Sequence, residues 1–138
     1  MTVLLDTNII MDALQERSPF DIEAKEILKR SQSGKEFTCL FTANSAADIF
    51  YLYSKARDMK SANSALDFLL SNYGVVSVTH EDCKAALTFP IEDFEDALVV
   101  VCAQRAGVEY IVTRDDKFLS VPSPVELISP KAFVSMLK

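Results

Sequence analysis

Short apolar runs alternate with longer stretches in which apolar residues recur at helical spacing. Val3 to Leu5 predicts a strand, and Thr7 or Asn8 is placed to cap a helix running through Ile9 to Leu14. Ser18 and Pro19 open a second predicted helix, with Ile22, Ile27 and Leu28 as its apolar positions, closing near Gly34. Phe37 to Thr42 predicts a strand, and Asn44 or Ser45 caps a helix carrying Ile49, Leu52 and Tyr53. A further amphipathic helix covers about Ser61 to Leu70 and ends around Gly74, before a strand at Val75 to Val78. A long helix over about Asp93 to Ala106 stops at Gly107, a strand follows at Tyr110 to Val112 and another at Val125 to Ile128, and a short helix begins at Pro130.

Apolar strands separated by helices describe a parallel sheet covered on both faces, so the expected class is a three-layer α/β/α fold with a central parallel sheet of about five strands. No repeat, linker or low-complexity segment interrupts this plan, and Pro122 to Pro124 reads as a loop, so residues 1–138 are expected to form a single domain. Ligands of such sheets bind at the carboxyl ends of the strands. Asp6 follows the first strand and Thr113 to Asp116 follow the fourth, which places both acidic turns on one edge.

Composition narrows the chemistry. The chain has 138 residues, 49% of them hydrophobic, ample for one buried core. Its longest apolar run, Ala97 to Ala103, is far below the roughly 20 residues of a membrane span, and Asp6 interrupts the N-terminal apolar residues before they can form a secretory signal. The expectation is a cytoplasmic protein that does not enter the membrane. Cys39, Cys83 and Cys102 are odd in number and widely spaced, which suits reduced core thiols. The formal charge of −6 opposes broad coating of a phosphate backbone, so a nucleic-acid partner would need a local basic patch or bound cations.

Four chain regions offer acids to one end of the sheet. Asp6 and Asp115 or Asp116 follow strands, Asp48 lies one turn into a helix, and Asp93 and Asp96 sit at i and i+3 on one helix face. Carboxylates brought together there repel unless they protonate or hold cations. Oxygen donors without accompanying His or Cys select Mg²⁺ or Mn²⁺ and disfavour zinc.

The segments VLLDTNIIMDAL, ANSAADIFYLYSKAR, FEDALVVVCAQRAGVEYIVTRDDKF and VELISPKAFVSML, in this order and spacing, resemble the PIN-domain family, the nuclease fold of VapC-type toxins. The third segment is the most specific, because an acid-led helix, a glycine stop, an apolar strand and the triplet TRD occur together. Carried over by position, the resemblance implies catalytic, metal-binding acids at Asp6, Asp48, Asp96 and Asp115, with Asn8 and Thr113 as supporting polar residues. Two features depart from the pattern. Position 48 is Asp where many members have Glu, so its carboxylate reaches less far and a bridging water can fill the gap. The segment after TRD is short, so Asp115 and Asp116 compete for one role, with the motif favouring Asp115. The implied activity is Mg²⁺- or Mn²⁺-dependent hydrolysis of RNA phosphodiesters, leaving 3′-hydroxyl and 5′-phosphate ends. The implied partners are an RNA substrate, an antitoxin protein and a second copy of the chain. A PIN protein that processes RNA without an antitoxin would look the same.

Plainer roles stand beside these. Asp6 and Asp93 are each placed to cap a helix, Asp48 is an ordinary first-turn acid, and Arg114 can bind phosphate or pair with Asp115 or Asp116. Lys25, Lys29, Arg30 and Lys35 are interleaved with acids and read as a solvated face, whereas Lys55, Arg57 and Lys60 follow the Asp48 helix. Tyr51 stands in an aromatic string and is open to presenting its hydroxyl or an interface surface. His80, the sole histidine, lies in a helix-cap region and cannot supply a pair of imidazoles for metal-free RNA cleavage. Two rival classes remain: a phosphatase-like α/β protein with an Asp after its first strand, disfavoured by Asn8 where a second Asp is usual, and a non-enzymatic binding module that has lost metal affinity.

Overall fold

The computed structural model describes residues 1–137. The chain order is β1 (Thr2–Leu5), α1 (Thr7–Leu14), α2 (Asp21–Ser31), β2 (Thr38–Thr42), α3 (Ala43–Ala56), α4 (Met59–Asn72), β3 (Gly74–Val76), α5 (His80–Thr88), α6 (Phe94–Ala106), β4 (Tyr110–Val112), α7 (Asp116–Leu119), β5 (Glu126–Ile128) and α8 (Pro130–Met136). The five strands form one sheet in the order β3-β2-β1-β4-β5, every pair parallel.

Strand residues alternate between the two faces. Val3, Leu5, Cys39, Phe41 and Val112 join one buried cluster with Ile9, Ile27, Ile49, Leu69 and Phe133, so α1 to α4 and α8 cover that face. Leu4 and Ile111 join the other with Ala86, Val100, Ala103 and Phe118 from α5, α6 and α7. Apolar side chains on both faces explain why these strands read as continuous hydrophobic runs rather than as alternating ones. The three-layer expectation holds. No helix among the described residues is long and apolar enough to cross a membrane.

The register fixes where the acidic turns lie. Leu5 pairs with Val112, so β1 and β4 end side by side. The Asp6 amide donates to the Val112 carbonyl at 3.0 Å, and the Thr113 amide donates to the Ile128 carbonyl at 3.1 Å, tying three strand ends together.

Several boundaries differ from the sequence reading. Helix α1 starts at Thr7 and is capped by Asp6, the plainer role considered for that acid, rather than by Thr7 or Asn8, because the Asp6 carboxylate accepts the Thr7 amide. Thr42, not Asn44 or Ser45, caps α3, and its hydroxyl accepts the Ser45 amide. Helix α2 begins at Asp21, with Asp21 and Glu23 in the first turn where the helix dipole favours acids, and ends at Ser31. Strand β3 is shorter than expected. Helices α5 and α7 are additional to the elements that the apolar pattern predicts, although the position of His80 marks the start of α5. The capping box that opens α5 was nevertheless written in the sequence, since Thr79 and Asp82 each accept the other's amide, and His80 is the helix's first residue rather than its cap. Gly107, at φ 71°, ends α6 in the left-handed conformation. The three cysteines are free, Cys39 and Cys102 buried and Cys83 half-buried.

Candidate metal centre at the carboxyl edge of the sheet

A cavity of about 460 Å³ opens at the strand ends, and Asp6, Asp48, Asp93, Glu95, Asp96 and Asp115 all line it. Three of these acids arrive as helix caps and the others from within helices. Asp6 terminates β1 and caps α1. Asp48 projects from within α3, whose start is fixed by hydroxyls: Thr42 Oγ1 donates to Ser45 Oγ at 3.2 Å, and Ser45 Oγ meets Thr7 Oγ1 at 2.8 Å. Asp93 caps α6 through the Asp96 amide at 3.1 Å, which places Asp96 in the first helical turn. Asp115 caps α7 and accepts the Lys117 amide at 3.0 Å.

Of the two neighbouring acids, Asp115 lines the cavity, whereas Asp116 begins α7 and is not among the lining residues. Arg114 departs from both roles considered for it. It does not pair with Asp115 or Asp116, and its guanidinium instead donates twice to the buried Asp12, at 2.5 and 3.0 Å, while stacking on Phe20 at 4.0 Å. Asp12 carries no sequence signal beyond its place in α1; only the fold brings it to a residue 102 positions away.

Asp6 is the best-anchored acid. Thr113 Oγ1 and Asn8 Nδ2 both donate to its Oδ2, at 2.8 and 3.2 Å, and the Thr7 amide donates to its Oδ1 at 2.9 Å. Thr113 Oγ1 also accepts the Asp115 amide at 3.2 Å, so one buried hydroxyl joins two of the acidic turns. Asn8 Oδ1 is buried with no hydrogen-bond partner, an orphaned acceptor on a residue that lines the cavity.

Crowding and burial make these acids hard to ionise together. Burial raises the Asp6 carboxyl above its ordinary value, opposed by the bonds from Thr113 and Thr7 and reinforced by the charges of Asp115 and Asp93. Asp96 is pushed up to about 6, first by burial and then by Asp93, Asp6, Asp115 and Glu95. Glu95 is raised by burial and by Asp48, Asp93 and Asp6.

The donor chemistry is that of a hard divalent cation: carboxylate oxygens and one orphaned amide oxygen, with no His or Cys on the cavity wall. Among the described residues, no three carboxylate, histidine or cysteine side chains are gathered closely enough to hold an ion as they stand. Loading would therefore require the acids to draw inward from positions that already share the cavity.

Sequence reasoning missed two charged residues of the wall, Glu95 and Arg17. Glu95 was legible as the middle acid of the first turn of α6. Arg17 follows α1 in a connecting loop, where no periodicity indicates direction. Tyr51 and Leu52 also line the cavity, and Tyr51 is exposed. Lys55 and Arg57 instead lie over the rings of Tyr51 and Tyr53, on the continuation of α3 away from Asp48.

Comparison with known proteins agrees with this fold. The PIN domain model matches residues 2–117. The chain belongs to the PIN-domain family, a family of nucleases. The match covers the first two motif segments that carried the resemblance and all but the last residue of the third, with VELISPKAFVSML lying beyond it. Among solved structures, the PIN chain is similar to VapBC2 from Rickettsia felis bound to a DNA fragment from their promoter, at 20% identity and a TM-score of 0.70, covering 94% of this chain and 98% of that one. It is similar to the Mycobacterium tuberculosis VapC20 toxin, described as Sarcin-Ricin loop cleaving, at 16% identity and a TM-score of 0.67, covering 84% and 92%. It is also similar to VapBC-1 from nontypeable Haemophilus influenzae, at 16% identity and a TM-score of 0.69, covering 95% and 99%. At these identities the structural likeness establishes the fold. No curated protein matches the chain significantly by sequence.

Proposed function

We propose that this PIN protein is a Mg²⁺- or Mn²⁺-dependent endoribonuclease that acts in the cytoplasm as the toxin of a toxin–antitoxin pair. The observation that carries the reading is the convergence of acids from four chain regions on one cavity, with the carboxyls of Asp6 and Asp96 raised first by burial and then by the charges of neighbouring acids. Such a cluster is costly empty and gains stability by binding a cation. Asp6, Asp96 and Asp115 would hold the ion, with Asp48 reaching it directly or through water. Asn8 and Thr113 fix the Asp6 carboxylate.

A bound divalent cation supplies an activated water and stabilises the charge that develops on the leaving oxygen. The chain provides the rest. Its acids set the charge of the cavity, the hydroxyl system of Thr7, Thr42 and Ser45 holds the start of the Asp48 helix, and Asp93 fixes the turn that presents Asp96. Hydrolysis forms a bond from water oxygen to phosphorus and breaks the bond to the 3′ oxygen, leaving 3′-hydroxyl and 5′-phosphate ends. No protein nucleophile is needed, and His80 does not line the cavity.

The RNA substrate is supported by the Sarcin-Ricin loop cleaving relative. An antitoxin is supported by the relatives solved as VapBC pairs and by the toxin-antitoxin complex from Klebsiella pneumoniae. An antitoxin that placed an Arg or Lys in the cavity would neutralise the acids in place of the ion. The same chain is expected to form a homodimer. The short side chain at Asp48 favours one second reading, a binding module without turnover.

Incubating the protein with mixed RNA and Mg²⁺ or Mn²⁺, and sequencing the fragment ends, tests the reading. Cleavage that disappears with EDTA and in Asp96→Asn supports the nuclease. Folded protein that neither cleaves RNA nor binds the ions supports the binding module.

A further inference from the structure

Among the described residues, Arg17 is the only lysine or arginine on the wall of the acidic cavity. Its position is set by the end of α1. Gln15 closes the helix, Glu16 adopts φ 51°, and the Arg17 amide donates to the Asp12 carbonyl at 3.0 Å, the six-to-one bond of a Schellman ending. Glu16 fills the left-handed position where glycine is usual, and its carboxylate pairs with Lys25 at 3.3 Å. The turn therefore sends the Arg17 side chain back over the helix end toward the cavity.

The partners of Arg17 leave it available. Its Nε donates to Gln15 Oε1 at 2.9 Å, which aims the guanidinium, and its Nη1 lies 3.6 Å from Asp12 Oδ1, beyond hydrogen-bond length. Asp12 is 1% exposed and does not depend on that contact, because Arg114 already gives it two hydrogen bonds. Departure of a sole cation would leave a buried carboxylate unpaired, at a prohibitive cost. Here Arg114 stays against Phe20, and Arg17, 39% exposed, is free to exchange Asp12 for another anion.

We propose that Arg17 is the substrate-binding cation of this site, leaving Asp12 to Arg114 and donating its terminal nitrogens to a phosphate oxygen of the bound RNA beside the scissile bond. The inference rests on the nuclease reading above and adds the group that contacts the substrate. An acidic cavity repels a phosphodiester even when part of its charge is neutralised, and a planar guanidinium matches paired phosphate oxygens.

The test uses full-length protein and a fluorescein-labelled single-stranded RNA 12-mer of randomised sequence. The kinetics of metal-dependent cleavage are measured between 50 and 200 mM NaCl, with Mn²⁺ titration calorimetry and thermal unfolding alongside. For Arg17→Gln, KM is expected to rise about tenfold with kcat within about twofold. The slope of log(kcat/KM) against log[salt] should flatten by about 0.7, the signature of one lost phosphate contact on a single strand. Arg17→Lys should restore most of that slope. Mn²⁺ affinity and melting temperature should match the parent. An unchanged KM and slope in Arg17→Gln overturns the inference while leaving the nuclease reading intact. A KM change accompanied by lost Mn²⁺ affinity or a lowered melting temperature also overturns it, because Arg17 would then be structural. If the parent neither cleaves RNA nor binds Mn²⁺, the nuclease reading fails and this inference fails with it.

Discussion

Thr113 Oγ1 donates a 2.8 Å hydrogen bond to Asp6 Oδ2, joining residues 107 positions apart at the ends of two adjacent strands. The same oxygen accepts the Asp115 amide, so a single fully buried hydroxyl sets the direction of one acid and the backbone of another. Its role is separable from bulk packing, because valine has nearly the same shape and lacks the donor.

Thr113→Val is accordingly expected to cost about 1 to 2 kcal/mol of stability, the range for leaving buried groups unpaired. It should also reduce metal-dependent cleavage at least tenfold, since Asp6 would lose a donor that now lowers its carboxyl. Thr113→Ser, which keeps the hydroxyl, should recover most of the activity. Chemical denaturation and cleavage rates on the three proteins check this.

Asp96→Asn separates function from stability in the opposite sense. Cleavage should fall by about 100-fold or more, as expected when a ligand of the metal is removed. The metal-free variant should melt at or above the parent temperature at pH 8, because one member of a repelling cluster is gone. Differential scanning calorimetry with EDTA, beside the cleavage assay, distinguishes the two effects.

The pH dependence follows from the direction of these shifts. Asp96 rises from 3.8 to about 6 on folding, and Asp6 is raised as well. The folded protein therefore binds more protons than the unfolded chain between these values. The stabilisation is complete below about pH 4 and is lost as pH rises through about 6. In EDTA, this cluster's contribution to the melting temperature should fall across that window in the parent, and the fall should be smaller in Asp96→Asn. Adding Mn²⁺ at pH 7.5 should raise the melting temperature, because the cation takes the place of the protons.

Arg114→Gln tests the loop from behind. Asp12 would keep only the 3.6 Å contact with Arg17, and removing the close partner of a buried charge costs about 3 kcal/mol. Arg114 lies between Thr113 and Asp115, so cleavage should also drop at temperatures where the variant remains folded. Circular dichroism melting, followed by an assay well below the transition, checks both.

The sequence carried the sheet because its strands are apolar on both faces, and it carried Asp6, Asp96 and Asp115 because each ends a strand or opens a helix, where local rules apply. Helix caps were less legible. Thr42 caps α3 from the end of β2, two or three residues before Asn44 and Ser45, the polar residues that looked best placed. Helix α5 is short, and its buried Asp82 disguises the apolar face by pairing with Arg105 of α6. Arg17 and Asp12 were invisible for a different reason. Their importance comes from a turn with positive φ at a non-glycine residue and from a contact with Arg114, neither of which leaves a local pattern.

The central claim is that this acidic cavity is a divalent-cation site, and Mn²⁺ titration calorimetry at pH 7.5 and pH 5 tests it most directly. The account predicts saturable binding at pH 7.5 that weakens at pH 5 as Asp96 takes up protons, and that is lost in Asp6→Asn and Asp96→Asn proteins that remain folded. Binding absent from the parent at both pH values, or present unchanged in both variants, would contradict it.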